Sequence, residues 1–299
     1  SPWYHLSLIF LDIRSPWAGG AELNCHEIFS RIARKGHRVT LLTSRFPGCS
    51  TEEEIDGVKI IRQGRWYNAN VVLPLAARKY LKQNAVDLVI DDMNKVPFFT
   101  PLYFQHPTLV LLHHLWGSTI FQEVLPPQAL YVYLQEKLIS RAYRRLPWIV
   151  VSESTKKELV SLGINENLVQ VIHNGLDHSL YNNDPTEAKF EHPTIIAVSR
   201  LRKYKGIQFL IRALTEIIRE IPDLHCYIVG DGPYREKLRS LASRLGVLNH
   251  VTFSGHLPDS EKIRLLRKSH LLVNPSSKEG WGLVNIEAKA LKLIKLPSQ

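Results

Sequence analysis

The sequence predicts an α/β protein built from two tandem Rossmann-like lobes, and three observations predict it. Short apolar strands alternate with helices of amphipathic spacing, the pattern of a parallel sheet wrapped by helices. A polar, turn-rich stretch at 178–193, holding Pro185 and Pro193, interrupts that rhythm, which then restarts. The 299 residues also exceed what one hydrophobic core comfortably serves. The expected division is a first lobe over 1–180, a linker over 181–193 and a second lobe over 194–299.

In the first lobe the expected strands are Leu6–Leu11, Arg38–Leu42, Val58–Ile61, Asp87–Ile90, Thr108–Leu112, Trp148–Val151 and Val169–Ile172. Between the first two, Ala21–Ala33 repeats apolar residues at helical spacing (Leu23, Ile28, Ile32), and Gly36 supplies the stop. Tyr131–Leu146 reads as a helix ended by Pro147. Thr155 followed by Glu158 fits a capping box, with the cap itself left open by the run of hydroxyl residues. In the second lobe, strands Ile195–Val198, Cys226–Val229, Val251–Phe253 and Leu271–Asn274 alternate with helices Ile207–Glu220, Tyr234–Leu245 and Ser260–Ser269.

Composition narrows the class. At 44% apolar residues, with 6 Trp, 11 Tyr and 10 Phe, the chain is too hydrophobic for disorder. No apolar run reaches the roughly 18 residues of a membrane span, and no signal-peptide pattern opens the chain. Three scattered cysteines without a CxxC pair predict reduced thiols and a cytoplasmic protein. The formal net charge of +10 is uneven: 19 basic residues face 17 acidic ones over 1–185, and 19 face 11 over 186–299. That imbalance fits an anionic partner (phosphate groups, nucleic acid or an acidic membrane) or scattered solubilising lysines. Nucleic acid is the weakest of these, because no basic motif is interleaved with aromatics. Arg141, Arg144 and Arg145 beside Tyr131, Tyr133, Leu134 and Leu138 suit peripheral contact with an anionic membrane; the alternative is a core-packed helix with a solvated end.

Several motifs carry chemistry. Gly19-Gly20-Ala21-Glu22 lies between the first strand and first helix, either as a turn presenting N–H groups to an anion or as a plain tight turn. It does not match the Gly-x-Gly-x-x-Gly dinucleotide pattern. His113-His114 closes a strand where ligands of open α/β sheets sit. Asp91-Asp92 closes the preceding strand, but adjacent strand residues point apart and no third ligand is near, so it reads as structural and no metal site is expected. In the second lobe, Ser199-Arg200-Leu201 and Lys205-Gly206 place two cations across one strand-to-helix loop, a spacing that could clamp a diphosphate. Gly230-Asp231-Gly232-Pro233 turns the next strand into a helix. Pro275-Ser276-Ser277 precedes a glycine-rich loop flanked by Glu279 and Glu287, whose amides could hold phosphate and whose carboxylates could accept sugar hydroxyls.

Taken in order, these segments resemble the retaining glycosyltransferases of family 4, which have the two-lobed GT-B fold. The resemblance also covers Gly36-His37-Arg38-Val39, Val151-Ser152-Glu153-Ser154 and Asn174-Gly175-Leu176-Asp177. It implies that Arg200 and Lys205 bind the donor diphosphate, Glu279 the hexose and Glu287 the ribose. It implies further that Gly230, Gly280 and the amides of Trp281-Gly282-Leu283-Val284 meet phosphate and sugar. Gly19 and Gly20 would cap the diphosphate, and His113 would face the donor sugar near the reaction centre. The catalytic set so implied is His113, Arg200, Lys205 and Glu279.

The expected function is therefore metal- and cofactor-free transfer of a hexose, with retention, from a nucleotide-diphosphate sugar to a carbohydrate or lipid-linked acceptor. The alternative is a non-catalytic relative that binds nucleotide sugars. After Glu287 the family pattern Glu-Ala-x-Ala-x-Gly-x-Pro loses its glycine at Leu291-Lys-Leu-Ile. The second lobe is accordingly expected to be incomplete, with Leu271–Asn274 an exposed sheet edge and activity weak or absent.

Overall fold

A computed structural model describes residues 2–93, 96–182 and 187–296, with the side chains of 295 and 296 left aside. Close packing divides the chain into two units. One holds residues 1–120 and 125–174; the other holds 121–124 and 175–299. The division falls at Asn174, ahead of the expected 180. The described part of the expected linker belongs to the second unit: Tyr181 is buried in its core, and the Phe190 ring stacks on Tyr227 with centroids 5.4 Å apart.

In chain order the first unit comprises β1 (Tyr4–Leu8), α1 (Gly20–Arg34), β2 (Arg38–Arg45), β3 (Glu52–Ile55), β4 (Val58–Arg65) and α2 (Ala69–Gln83). There follow β5 (Leu88–Met93), β6 (Thr108–Leu112), α3 (Pro126–Ala142), β7 (Trp148–Val150), α4 (Glu153–Ser161) and β8 (Val169–Val171). The sheet order is β3-β4-β2-β1-β5-β6-β7-β8, parallel except for β3 against β4. That hairpin turns at Asp56 (φ 49°) and Gly57 (φ 80°), the left-handed pair its two-residue loop requires. Leu6, Leu8, Val89 and Val110 are fully buried between the helical layers, as a doubly covered parallel sheet demands. The buried Arg62 guanidinium forks onto Asp12 (2.7 and 2.9 Å) and also reaches Glu53, pinning the loop after β1 to β4. Ser152 is the cap of α4, accepting from the Thr155 N–H at 3.2 Å, which settles the cap that local sequence leaves open.

The second unit comprises β9 (Thr194–Val198), α5 (Ile207–Glu220), β10 (His225–Val229), α6 (Arg235–Arg244), β11 (Val251–Gly255), α7 (Asp259–Lys268), β12 (Leu271–Val273), α8 (Leu283–Ala290) and β13 (Ile294–Leu296). Its sheet is wholly parallel, ordered β11-β10-β9-β12-β13. Helix α5 buries Ile207, Leu210, Ile211 and Leu214 against Ile195, Ala197, Cys226 and Ile228, a stripe at i, i+3, i+4, i+7.

The expected exposed edge at Leu271–Asn274 is not one. β12 lies between β9 and β13, with Leu271 and Leu272 opposite Ile294 and Lys295. The chain reaches that fifth strand because Lys292 takes the left-handed conformation (φ 56°) that a glycine would hold after the helix. Leu293 N–H then bonds Ala288 O (2.8 Å) and Lys292 N–H bonds Lys289 O (3.1 Å), closing a Schellman motif without glycine. Among the described residues, no helix is long and apolar enough to cross a membrane.

Candidate functional site

In the second unit, three neighbouring strands end in loops that pack backbone against backbone. The loop after β10 crosses the loop after β9. Ser199 N–H bonds Val229 O (3.0 Å), Leu201 N–H bonds Asp231 O (2.9 Å), and Tyr234 N–H bonds Leu201 O (3.1 Å). A Cβ at Gly230 would stand 2.0 Å from Ser199 O, so no other residue fits that crossing. Gly206, with φ 72°, caps α5, and a Cβ there would stand 2.0 Å from Pro275 O in the loop after β12. Ser277 seals the same contact, its N–H and hydroxyl both donating to Tyr204 O (2.9 and 3.0 Å). The glycines are thus required by the closeness of the loops.

This packing brings Lys205 and Glu279 together. Lys205 Nζ lies 2.7 Å from Glu279 Oε1 and 5.1 Å above the Tyr204 ring; Asn274 Nδ2 approaches the same oxygen at 3.4 Å. Both side chains are largely shielded, 13% and 25% exposed. Arg200, from the same loop, is exposed and makes no ion pair among the described residues. Helix α8 begins after Gly282 (φ 68°). Its first N–H groups, on Leu283 and Val284, have no partner within the helix and lie directly after Gly280 and Trp281.

Glu287 occupies different surroundings. It is buried on α8, and its Oε1 accepts from Tyr181 OH (2.8 Å) and from Lys262 Nζ (3.2 Å). Lys262 also pairs with Asp259 at 2.9 Å. Burial alone would lower the Lys262 pKa, but Glu287, Tyr181 and Asp259 together outweigh it and hold the ammonium form. Burial, reinforced by Glu287, pushes the Tyr181 hydroxyl up, so it stays a donor. Neither partner is foreshadowed by local sequence. Glu123, of the short 121–124 segment, was likewise unforeseen: it accepts from Tyr204 N–H (3.2 Å) and lies 3.8 Å from Arg202.

In the first unit, Gly19 and Gly20 open α1. The Gly19 N–H is not free for a ligand, because Glu22 Oε2 accepts it at 2.7 Å. His113 follows β6, buried, with Nε2 3.0 Å from Asp92 Oδ1. Burial opposes its charge, yet the Asp92 carboxylate, with Glu22 beyond it, raises the His113 pKa. Asp91 points the other way. Its Oδ2 accepts from Thr100 Oγ1 and Tyr143 OH, each at 2.8 Å, and burial pushes its carboxyl up to about 6. The two adjacent aspartates therefore serve different neighbours, as strand alternation requires. Among the described residues, no group of three His, Cys, Asp or Glu side chains is placed to hold a metal ion.

Comparison with known proteins decides the family. Residues 18–180 match the model for Glycosyltransferase Family 4, and residues 182–297 match that for Glycosyl transferases group 1. The chain belongs to glycosyltransferase family 4. Among its relatives is a GDP-mannose-dependent alpha-(1-6)-phosphatidylinositol monomannoside mannosyltransferase of Mycolicibacterium smegmatis. It is 38% identical over 107 residues, which cover 33% of this chain and 28% of that protein. A human phosphatidylinositol N-acetylglucosaminyltransferase protein is 23% identical over 304 residues, covering 94% of this chain and 59% of the human one. The matches thus span less than two thirds of either relative. Among solved structures, the sucrose-phosphate synthase of Thermosynechococcus elongatus superposes with a TM-score of 0.79 at 18% identity, covering 99% of this chain and 81% of that one. That likeness shows the two-lobed α/β fold of family 4.

Proposed function

We propose that this chain transfers a hexose from a nucleotide-diphosphate sugar to an acceptor hydroxyl, with retention and without a metal. The observation that carries the reading is the Lys205–Glu279 pair, with Arg200 exposed on the Lys205 loop, set where three parallel strands end in glycine-fitted loops. Arg200 and Lys205 neutralise the departing diphosphate, which metal-dependent enzymes leave to a cation. Glu279 accepts hydroxyls of the hexose, the amides at 280–284 meet phosphate and sugar, and Glu287 serves the ribose. In the first unit Gly20 and the start of α1 take the diphosphate, and His113 takes the sugar. The anomeric C–O bond to the diphosphate breaks with its electron pair leaving on phosphate. The acceptor oxygen bonds to the same face of that carbon, and its proton passes to the departing phosphate oxygen.

The relatives' names, one GDP-mannose-dependent and both specifying phosphatidylinositol, support a lipid-linked acceptor, and we place the reaction at the inner face of a cytoplasmic membrane. A surface feature favours this. Helices α2 and α3, joined by Asn70 Nδ2 to Tyr131 OH (2.5 Å), expose Val71, Leu75, Leu130, Tyr131, Leu134 and Leu138. The exposed charges on these two helices are all basic (Arg78, Lys79, Lys82, Lys137, Arg141), since their one acid, Glu136, is buried under the Trp116 and Gly117 amides.

Incubation with GDP-mannose, UDP-N-acetylglucosamine, UDP-glucose and ADP-glucose in EDTA, with phosphatidylinositol vesicles as acceptor, tests the reading. The expected outcome is turnover of one donor into an α-linked glycolipid. Binding without turnover would make the chain a nucleotide-sugar-binding module, and failure to bind any donor would overturn the reading.

A further inference from the structure

The Asp92 carboxylate is fully buried, and its one ionic partner among the described residues is His113. Its second oxygen, Oδ2, is also buried and has no nitrogen or oxygen donor. The Cys25 thiol of α1 lies against the same carboxylate, its pKa pushed well up by burial and then by Asp92, so it adds no charge. Burying a carboxylate with one ionic partner costs the fold stability, so its retention at this strand end points to a role beyond packing. Asp92 and His113 reach each other because β5 and β6 pair in parallel register, Asp92 opposite Leu111 and Met93 opposite Leu112. Both side chains therefore stand at the carboxyl end of the sheet.

We propose that Asp92 is a positioning residue for His113: its Oδ1 holds the Nε2–H, fixing ring orientation and tautomer so that Nδ1 is the nitrogen left for a ligand. The charged or titratable groups around the ring are Asp92 on β5 and Glu22 on α1, with the Cys25 thiol behind Asp92. Neutral imidazole carries one N–H, and the partner of one nitrogen decides the state of the other. An aspartate accepts from Nε2 and cannot donate to it once ionised. An asparagine at 92 could do either.

This inference rests on the role given to His113 above, and its test keeps the two apart. In the unmodified protein, ¹⁵N NMR of the histidine rings, at a pH where His113 is neutral, should find the proton on Nε2 and Nδ1 bare. In Asp92→Asn the ring should become a mixture of tautomers. A wild-type ring protonated on Nδ1, or a tautomer unmoved by Asp92→Asn in a protein with native melting behaviour, overturns the proposal. In transfer assays, Asp92→Asn should lower kcat by about 10- to 100-fold with the donor KM little changed, and His113→Gln should lower it at least as far. Impaired His113→Gln beside unimpaired Asp92→Asn also refutes positioning. Unimpaired His113→Gln refutes the role of His113 itself, while the tautomer measurement still decides the contact.

Discussion

Lys205 Nζ and Glu279 Oε1 are 2.7 Å apart although 74 residues separate them in the chain. The diphosphate and the hexose of a donor would each draw on one member of this pair. Donor binding would thus exchange this ion pair for an ionic contact of Lys205 with the diphosphate and hydrogen bonds from hexose hydroxyls to Glu279. Lys205→Ala and Arg200→Ala should each weaken nucleotide-sugar binding by about 1.5–3 kcal/mol, roughly 10- to 100-fold. Glu279→Gln should separate the two halves of the donor. Calorimetric affinity for the free nucleoside diphosphate should hold or rise, because Lys205 is released, while sugar transfer falls.

On the α2–α3 face, co-sedimentation with anionic vesicles should be strong at low salt and weak with neutral lipid. Each of Arg78, Lys79, Lys82, Lys137 and Arg141 changed to Gln should cost about 1 kcal/mol of vesicle binding. Leu134→Glu should weaken binding even with all five cations kept. Equal sedimentation with neutral and anionic vesicles would contradict this assignment.

The buried Asp91 carboxyl makes a prediction about pH. Its folded value, about 6, lies above the ordinary carboxyl value of 3.8 because burial penalises the anion. The folded state therefore binds more protons than the unfolded chain between about pH 4 and 6, and stability contributed by this group falls as pH rises through that window. Asp91→Asn keeps an oxygen for Thr100 and Tyr143 and removes the charge. Its urea-melt stability relative to wild type should climb from pH 4 to 6 and then level off, by at most about 3 kcal/mol.

Lys292 offers a stability gain. A β-carbon in the left-handed region costs roughly 1 kcal/mol, so Lys292→Gly should raise the stability of the second unit by about that amount, read as a higher urea midpoint. No change would mean that the helix end adopts another conformation in solution.

Legibility in the sequence followed the range of the interactions. Helix Ile207–Glu220 was readable to the residue because its apolar stripe is local and wide. Helix α2 was missed, since Pro74 within it reads as a breaker. Strand β3 was missed because Glu52-Glu53-Glu54 looks like a solvated loop, although the Asp56-Gly57 turn after it was a legible hairpin signal. Strand β13 escaped because a lysine holds the position where a glycine was awaited. At the site, glycine and charge motifs marked Arg200, Lys205, Gly230 and Glu279. The groups that hold Glu287 and His113 were invisible, because Tyr181, Lys262 and Asp92 become neighbours only when distant segments pack. For Asp92 a signal existed: two polar residues ending adjacent parallel strands.

The contact between Tyr181 OH and Glu287 Oε1 spans 106 residues, and its consequence concerns the order of assembly. Tyr181 precedes every strand of the second sheet, yet its core neighbours include Ala288, Leu291 and Leu293 at the far end. As the chain leaves the ribosome, Tyr181 waits until α8 has emerged. The α5–α6 side, whose fully buried members lie within residues 195–251, can close long before. Loops of such length slow closure, so the second unit should fold in two stages, with the face that carries Glu287 the last to consolidate and the first to open under stress.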